Sequence, residues 1–196
     1  ALAGYWRVEG NERTAIKGKW INSPGKELLN ILKKDLKTNY LPIIAEDLGV
    51  ITSDVEVLRK NYELPGMKIL QFAFDGNDDN PYLPKNINGN NWVVYTGTHD
   101  NTTSISWWSD LEKHIKNHLK ENYKFSQDPS WSLIEIGMST KANLFISPIQ
   151  DILSLDDSCR LNTPGTIINN WKWILNKPLE EIDLDLKKYS DLGNKY

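Results

Sequence analysis

Cysteine is all but missing from this sequence. Cys159 stands alone among 196 residues, so neither an intrachain disulfide framework nor a cysteine-based zinc cage is available. A reducing compartment suits such a chain. Proline and glycine number only nine and twelve, which excludes collagen-like and low-complexity classes. No apolar run approaches the roughly 18 residues of a membrane span, so no membrane partner is expected. An excess of positive charge is absent too. Lysine and arginine total 23 against 26 acids, for a net charge of −3 and a pI near 5.7. That balance is wrong for a protein that binds by neutralising phosphates, and nucleic acid is not an expected partner.

What is present is enough for one domain, or a piece of one, that buries roughly 70% of its unfolded surface. Hydrophobic residues make up 39% of the chain, and eight of them are tryptophan. Helical and strand-like stretches alternate. Ser23-Pro24 opens a helix whose face carries Leu28, Leu29, Leu32 and Leu36. Leu41 to Ala45 is a short apolar run of buried-strand length that ends at Glu46-Asp47. Ser53 with Glu56 reads as a capping box for a helix reaching about Tyr62. Met67–Phe74 is a second strand and Trp92–Thr96 a third, with a polar surface loop from Gly76 to Asn91 between them. Helices are expected over Thr103–Tyr123 and Trp131–Thr140. A fourth strand opens at Leu144-Phe145-Ile146 and ends near Gln150-Asp151, and an amphipathic tail follows Lys177.

Short strands that are apolar throughout, separated by helices, predict a parallel sheet covered on both faces. Each strand ends at or beside a carboxylate: Glu46, Asp75, Asp100 and Asp151. Both a (β/α) barrel and a doubly wound open sheet hold their chemistry at those ends. No glycine-rich phosphate loop follows any strand here, which favours the barrel. Four strands make half of the eight that a barrel needs, so the fold class expected is α/β, the C-terminal half of a (β/α)8 TIM barrel.

Carboxylates on neighbouring strand ends suit glycosidic bond cleavage, in which one acid protonates the leaving oxygen and another attacks or assists. Glu46 suits the acid role, because a long side chain leaving an apolar run is desolvated, and desolvation favours the protonated form. Taken alone, Glu46-Asp47 could equally cap the following helix, and Asp100 could serve as a turn or helix cap. His114 and His118 stand four apart, but lysines surround them and no glutamate follows the first, so they read as a solvated helix face and no metal site is expected. Trp107-Trp108 and the Trp171-x-Trp173 pair fit helix packing better than sugar platforms.

Three ordered segments closely resemble the 4-α-glucanotransferases (amylomaltase or disproportionating enzyme, glycoside hydrolase family 77): Ile44-Ala45-Glu46-Asp47-Leu48-Gly49, Leu64 to Phe74, and Tyr95-Thr96-Gly97-Thr98-His99-Asp100-Asn101. Ala3 to Trp6, Gly18-Lys19-Trp20, Pro148 to Asp151, Asn162-x-Pro164-Gly165 and Asn170-Trp171-x-Trp173 fit the same order. The resemblance covers essentially the whole chain, residues 1–196. It implies a (β/α)8 enzyme that cuts an α-1,4-glucan link with retention and passes the segment to a 4-position of an acceptor glucan or glucose. By that likeness Glu46 matches the general acid/base and Asp100 the carboxylate that stabilises the transition state. His99 matches a residue that hydrogen-bonds the sugar, while Asp47, Phe72 and Asn162 match positions near the glucan path. The implied partners are α-1,4-glucans and maltooligosaccharides, with no cofactor, in the cytoplasm or, for a plant, the plastid stroma.

The family's nucleophile is an aspartate in an Arg-x-Asp-His-Phe-Arg run, and no such run occurs here. The nucleophile and the N-terminal half of the barrel are therefore expected outside this chain, which alone is expected to be inactive. Smaller departures are Ile174, where the family often has Arg, and Gly76, where a second acid is common. A non-catalytic glucan-binding fragment and an α-glucan hydrolase of the same barrel class are the alternative readings.

Overall fold

The structure, a computed structural model, describes residues 2–49 and 51–196. It divides into two compact units, one running to Met67 and one from Lys68 to Tyr196, and the division falls within a strand.

The first unit opens on an antiparallel hairpin of β1 (Gly4–Arg7) and β2 (Lys19–Asn22), in which Trp6 stands opposite Trp20. The two indoles meet edge to face at 5.7 Å, and Trp6 Nε1 donates to the Ala15 carbonyl at 2.9 Å. Cross-strand aromatic pairs of this kind help fix register. Two helices follow, α1 (Gly25–Asp35) and α2 (Ser53–Asn61), before β3 (Gly66–Ile69). Leu29, Leu41, Tyr62 and Leu64 form the core of the unit, whereas Leu28 and Leu36 of the expected apolar face are exposed. The Tyr62 hydroxyl lies 2.6 Å from Asn30 Oδ1 and 2.9 Å from the Lys26 carbonyl, which latches the end of α2 to α1.

Two expectations need correction here. Leu41–Ala45 forms no strand: Pro42 has no N–H to donate, and the Ile43 N–H turns back to the Leu41 carbonyl at 2.8 Å. The run packs as irregular extended chain, tied by the Ala45 N–H to the Pro65 carbonyl. The cap of α2 is Thr52 rather than Ser53, and no side-chain capping bond forms there.

β3, β4 (Trp92–Tyr95) and β5 (Leu144–Ile146) make a three-stranded sheet in that order. β4 and β5 run parallel, with Val93 opposite Leu144 and Tyr95 opposite Ile146. Their crossover carries α3 (Ser104–Asp110), α4 (Lys113–Tyr123) and α5 (Pro129–Met138). A parallel pair requires such a connection. Beyond β5 come the short α6 (Ile149–Ile152) and α7 (Asp183–Gly193). Gly137 of α5 lies flat against the Phe145 ring, where any side chain would collide. Among the described residues no helix is long and apolar enough to cross a membrane.

The second predicted strand ends early. After Ile69 the chain winds into a single 3-10 turn, Leu70–Phe72, which buries Leu70, Ala73 and Phe74 together and leaves Phe72 outside. Strict strand alternation could not place those three on one side. The predicted long helix is broken at Leu111-Glu112, both extended in backbone, so that Trp108 stacks on Phe125 at 5.1 Å while Leu119 enters the same core. The 76–91 loop is more than a surface insertion: Leu83 and Ile87 sit in the core. Its buried Asn80 donates to the Phe72 carbonyl at 2.8 Å and accepts from the Tyr82 N–H.

Candidate active site

Glu46 and Asp47 follow one another in the extended stretch of the first unit, and consecutive residues of an extended chain face opposite ways. Asp47 faces inward. Its carboxylate lies 3.3 Å from Arg59 Nε and accepts the Met67 N–H at 2.7 Å, with side chains of Asp47 and Arg59 only 9% and 8% exposed. Arg59 also donates to the Leu64 carbonyl at 3.0 Å. Glu46 is left exposed, on the rim of a cavity of about 170 Å³ that Ile44, Val55 and Leu58 also line. The desolvation expected of Glu46 is absent.

The second unit carries the rest of the candidates. Past β4, Gly97 leads into a tight turn, with Asn101 Oδ1 accepting from the Thr98 N–H (2.9 Å) and the Thr98 hydroxyl (2.8 Å). A Cβ on Gly97 would come within 2.9 Å of Gln71 Nε2, the group that donates to the Thr102 carbonyl behind the turn. The turn lifts His99 and Asp100 to its tip, each side chain 49% exposed. Asp100 Oδ1 accepts from Asn162 Nδ2 at 2.5 Å and lies 3.3 Å from His99 Nε2. Among the described residues its Oδ2 has no hydrogen-bond partner. Thus one oxygen is held by an amide and lies beside an imidazole, and the other is left open.

Behind this tip the polar framework is dense. Asp151, expected at a strand end, lies instead in α6, fully buried. Its carboxylate accepts from the Thr96 hydroxyl at 2.5 Å and from the N–H and hydroxyl of Ser104, both at 2.8 Å, joining the end of β4 to the start of α3. Burial pushes its pKa up, the three hydrogen bonds oppose that, and the nearby Asp128 charge adds to the rise. Sequence reading did not single out Arg160 or Asp157. Arg160 Nη2 donates to the Asp100 carbonyl at 2.7 Å and its Nε to the Asn162 carbonyl at 2.9 Å. The one available signal was an arginine two residues ahead of Asn162 in a chain whose basic residues are mostly lysine. Trp171, 63% exposed, sets its ring 5.0 Å from the His99 imidazole. It does so from a left-handed backbone, φ 58°, with its N–H on the Leu161 carbonyl at 2.7 Å.

Phe72 is 44% exposed and packs edge-on against Tyr82 at 5.6 Å. The structure therefore brings His99, Asp100 and Asn162 into contact, turns Asp47 toward Arg59, and leaves Glu46 and Phe72 facing solvent. Trp107 and Trp108 pack against Phe125, as helix packing predicts. His114 meets Glu112 on an exposed helix face, and among the described residues no group of three or more His, Cys, Asp or Glu is placed to hold a metal ion.

A family model described as 4-alpha-glucanotransferase matches residues 1–179. The chain belongs to the 4-alpha-glucanotransferase family. The 4-alpha-glucanotransferase of Synechocystis sp. is 48% identical over 173 residues, covering 86% of this chain and 34% of that protein. The chloroplastic/amyloplastic 4-alpha-glucanotransferase of Arabidopsis thaliana is 41% identical over 199 residues, covering 100% of this chain and 34% of the plant protein. Among solved structures, amylomaltase from Streptococcus agalactiae, in complex with acarbose, is similar with a TM-score of 0.88 at 30% identity, over 98% of this chain and 39% of that one. The chain thus spans about a third of the length of these curated 4-alpha-glucanotransferases. Its α/β architecture fits the amylomaltase fold.

Proposed function

We propose that these residues are the C-terminal half of a (β/α)8 barrel enzyme that transfers a segment of an α-1,4-glucan to the 4-position of an acceptor glucan or glucose. The observation that carries this reading, within a chain of this family, is the Asp100 carboxylate: exposed, anchored on Oδ1 by Asn162, and open at Oδ2 beside His99. A carboxylate so arranged stabilises the positive charge that develops at an anomeric carbon.

In this reading Glu46 protonates the departing glycosidic oxygen and then deprotonates the incoming 4-hydroxyl, which its exposure to solvent permits. His99 and Asn162 hydrogen-bond the sugar or hold Asp100, and Phe72 offers an apolar face to the glucan. Asp47 lies beside the glucan path through its backbone, its carboxylate being engaged with Arg59. The nucleophile comes from outside these 196 residues, so the chain alone is inactive. No cofactor is used. The enzyme works where α-glucans are soluble, in the cytoplasm or the plastid stroma.

The test is maltotriose with the full-length enzyme. Transfer gives glucose together with longer maltooligosaccharides and no net gain of reducing ends, whereas reducing ends that grow steadily would make it a hydrolase. Glu46→Gln should lower turnover by about 10²–10⁴, the range for a general acid/base. A glycosyl fluoride donor, whose leaving group needs little proton assistance, should recover the first step. Equal loss on both donors would move the acid role elsewhere.

A further inference from the structure

Arg160 is a half-buried residue whose side chain is 24% exposed and whose guanidinium reaches in three directions. Nη2 takes the Asp100 carbonyl (2.7 Å), Nε the Asn162 carbonyl (2.9 Å), and Nη1 lies 3.5 Å from Asp157 Oδ2. The other oxygen of Asp157 accepts from the Thr102 hydroxyl at 2.6 Å and the Thr103 N–H at 2.7 Å. Arg160 and Asp157 together therefore grip the turn on both sides of Asn101 and fasten it to the strand of chain that ends in Asn162. Sixty residues separate Arg160 from Asp100 in sequence, so nothing local sets this geometry.

The choice of atoms matters. An arginine placed on the Asp100 carboxylate would form an ion pair and neutralise the charge the reaction needs. Here the guanidinium meets Asp100 and Asn162 through their carbonyls, and the one carboxylate it faces is that of Asp157. The Asp100 carboxylate is steered by the neutral Asn162 amide, whose backbone Arg160 also holds. Resting on the function proposed above, we infer that Arg160 is a positioning residue of glucan transfer: it fixes where the Asp100 carboxylate stands without sharing its charge. A planar guanidinium with its fork of donors can hold two carbonyls and a carboxylate at once, and a lysine ammonium on a flexible stem cannot reproduce that.

The experiment is a double-mutant cycle in the full-length enzyme on maltotriose, with Arg160→Ala, Arg160→Lys, Asp100→Asn and the Asp100→Asn/Arg160→Ala pair. Arg160→Ala should lower kcat by roughly 10-fold to 10²-fold, the scale of an ångström of misplacement, with KM nearly unchanged. Arg160→Lys should recover part of the loss, and it also serves if the alanine variant does not fold. In the Asp100→Asn background the further loss from Arg160→Ala should shrink to about threefold or less, because the group being positioned is already disabled. Losses that multiply independently in the double variant, or a change confined to KM, would overturn the inference. If Arg160→Ala turns over at the wild-type rate while Asp100→Asn is crippled, the inference alone fails. An Asp100→Asn enzyme that turns over normally would remove the reading beneath it as well.

Discussion

Asp47 and Arg59 face each other at 3.3 Å with side chains less than a tenth exposed, one residue along the chain from the exposed Glu46. Neighbouring acids thus have opposite circumstances, and substitutions at the two should read out on different axes. Removing one partner of a buried pair leaves the other's charge unbalanced, which costs about 3–5 kcal/mol. Asp47→Ala should lower the unfolding free energy by that order and also deprive the Met67 N–H of its acceptor. Glu46→Gln should leave stability within about 0.5 kcal/mol, as for other surface changes. Urea unfolding of both variants checks this. Equal effects on stability would mean that the inward and outward assignments are wrong.

Asp100→Asn should cripple turnover by about 10²–10³ while glucan binding is largely kept. The amide preserves shape and can still accept from Asn162 through its oxygen, but it carries no charge to meet an oxocarbenium-like centre. Dissociation constants for maltooligosaccharides, measured beside kcat, separate the two. A constant weakened as far as the rate is lowered would show ordinary ground-state binding instead.

Asp151 makes stability depend on pH with a definite sign. Burial raises its folded pKa above the ordinary aspartate value, so within that window the folded state binds more protons than the unfolded one. The contribution of this group is then full below the unfolded value, about pH 4, and is lost as pH rises through the folded value. Asp151→Asn, in which the Thr96 and Ser104 hydroxyls can rotate to accept, should flatten that part of the profile. Unfolding free energies of wild type and variant from pH 4 upward give the comparison. Parallel profiles would show that the carboxyl is not held out of its ionised form.

The 76–91 loop is anchored by Leu83 and Ile87 and stapled to Phe72 through Asn80. Shortening it between Asp78 and Asn86 removes the Asn80 bond to the Phe72 carbonyl and the Tyr82 ring that packs on Phe72. In the full-length enzyme the expected result is a higher ratio of hydrolysis to transfer, since acceptor choice depends on excluding water from the intermediate. Reducing-end release against transfer products from maltotriose measures it, and an unchanged ratio counts against any gating role.

The parallel βαβ core was legible because Trp92–Tyr95 and Leu144–Ile146 are apolar, short and separated by helical periods. The hairpin β1–β2 was not, because its strands are polar enough to lack a buried face and its Trp6–Trp20 pair is seen only once the register is known. Leu41–Ala45 misleads because burial and strand pairing are separable: Leu41, Ile43 and Ala45 pack, while Pro42 denies the ladder. Position alone makes Asp151 a strand-end acid, and only the fold brings three donors onto it. For the candidate site, chemistry singled out Glu46 and Asp100, and family likeness supplied Asn162. Arg160 escaped because its partners are main-chain carbonyls, and a carbonyl has no signature in a sequence.

Trp171 holds its ring beside His99 from a left-handed backbone, a conformation that disfavours a large side chain by roughly 1–2 kcal/mol relative to glycine. Directed evolution for heat resistance would find that position early, since Trp171→Gly relieves the strain at once. The variant would also lose the indole that covers the imidazole next to Asp100. Thermal selection and activity selection therefore pull in opposite directions at this one residue, and an engineering effort on the full-length protein should hold Trp171 fixed while it optimises elsewhere.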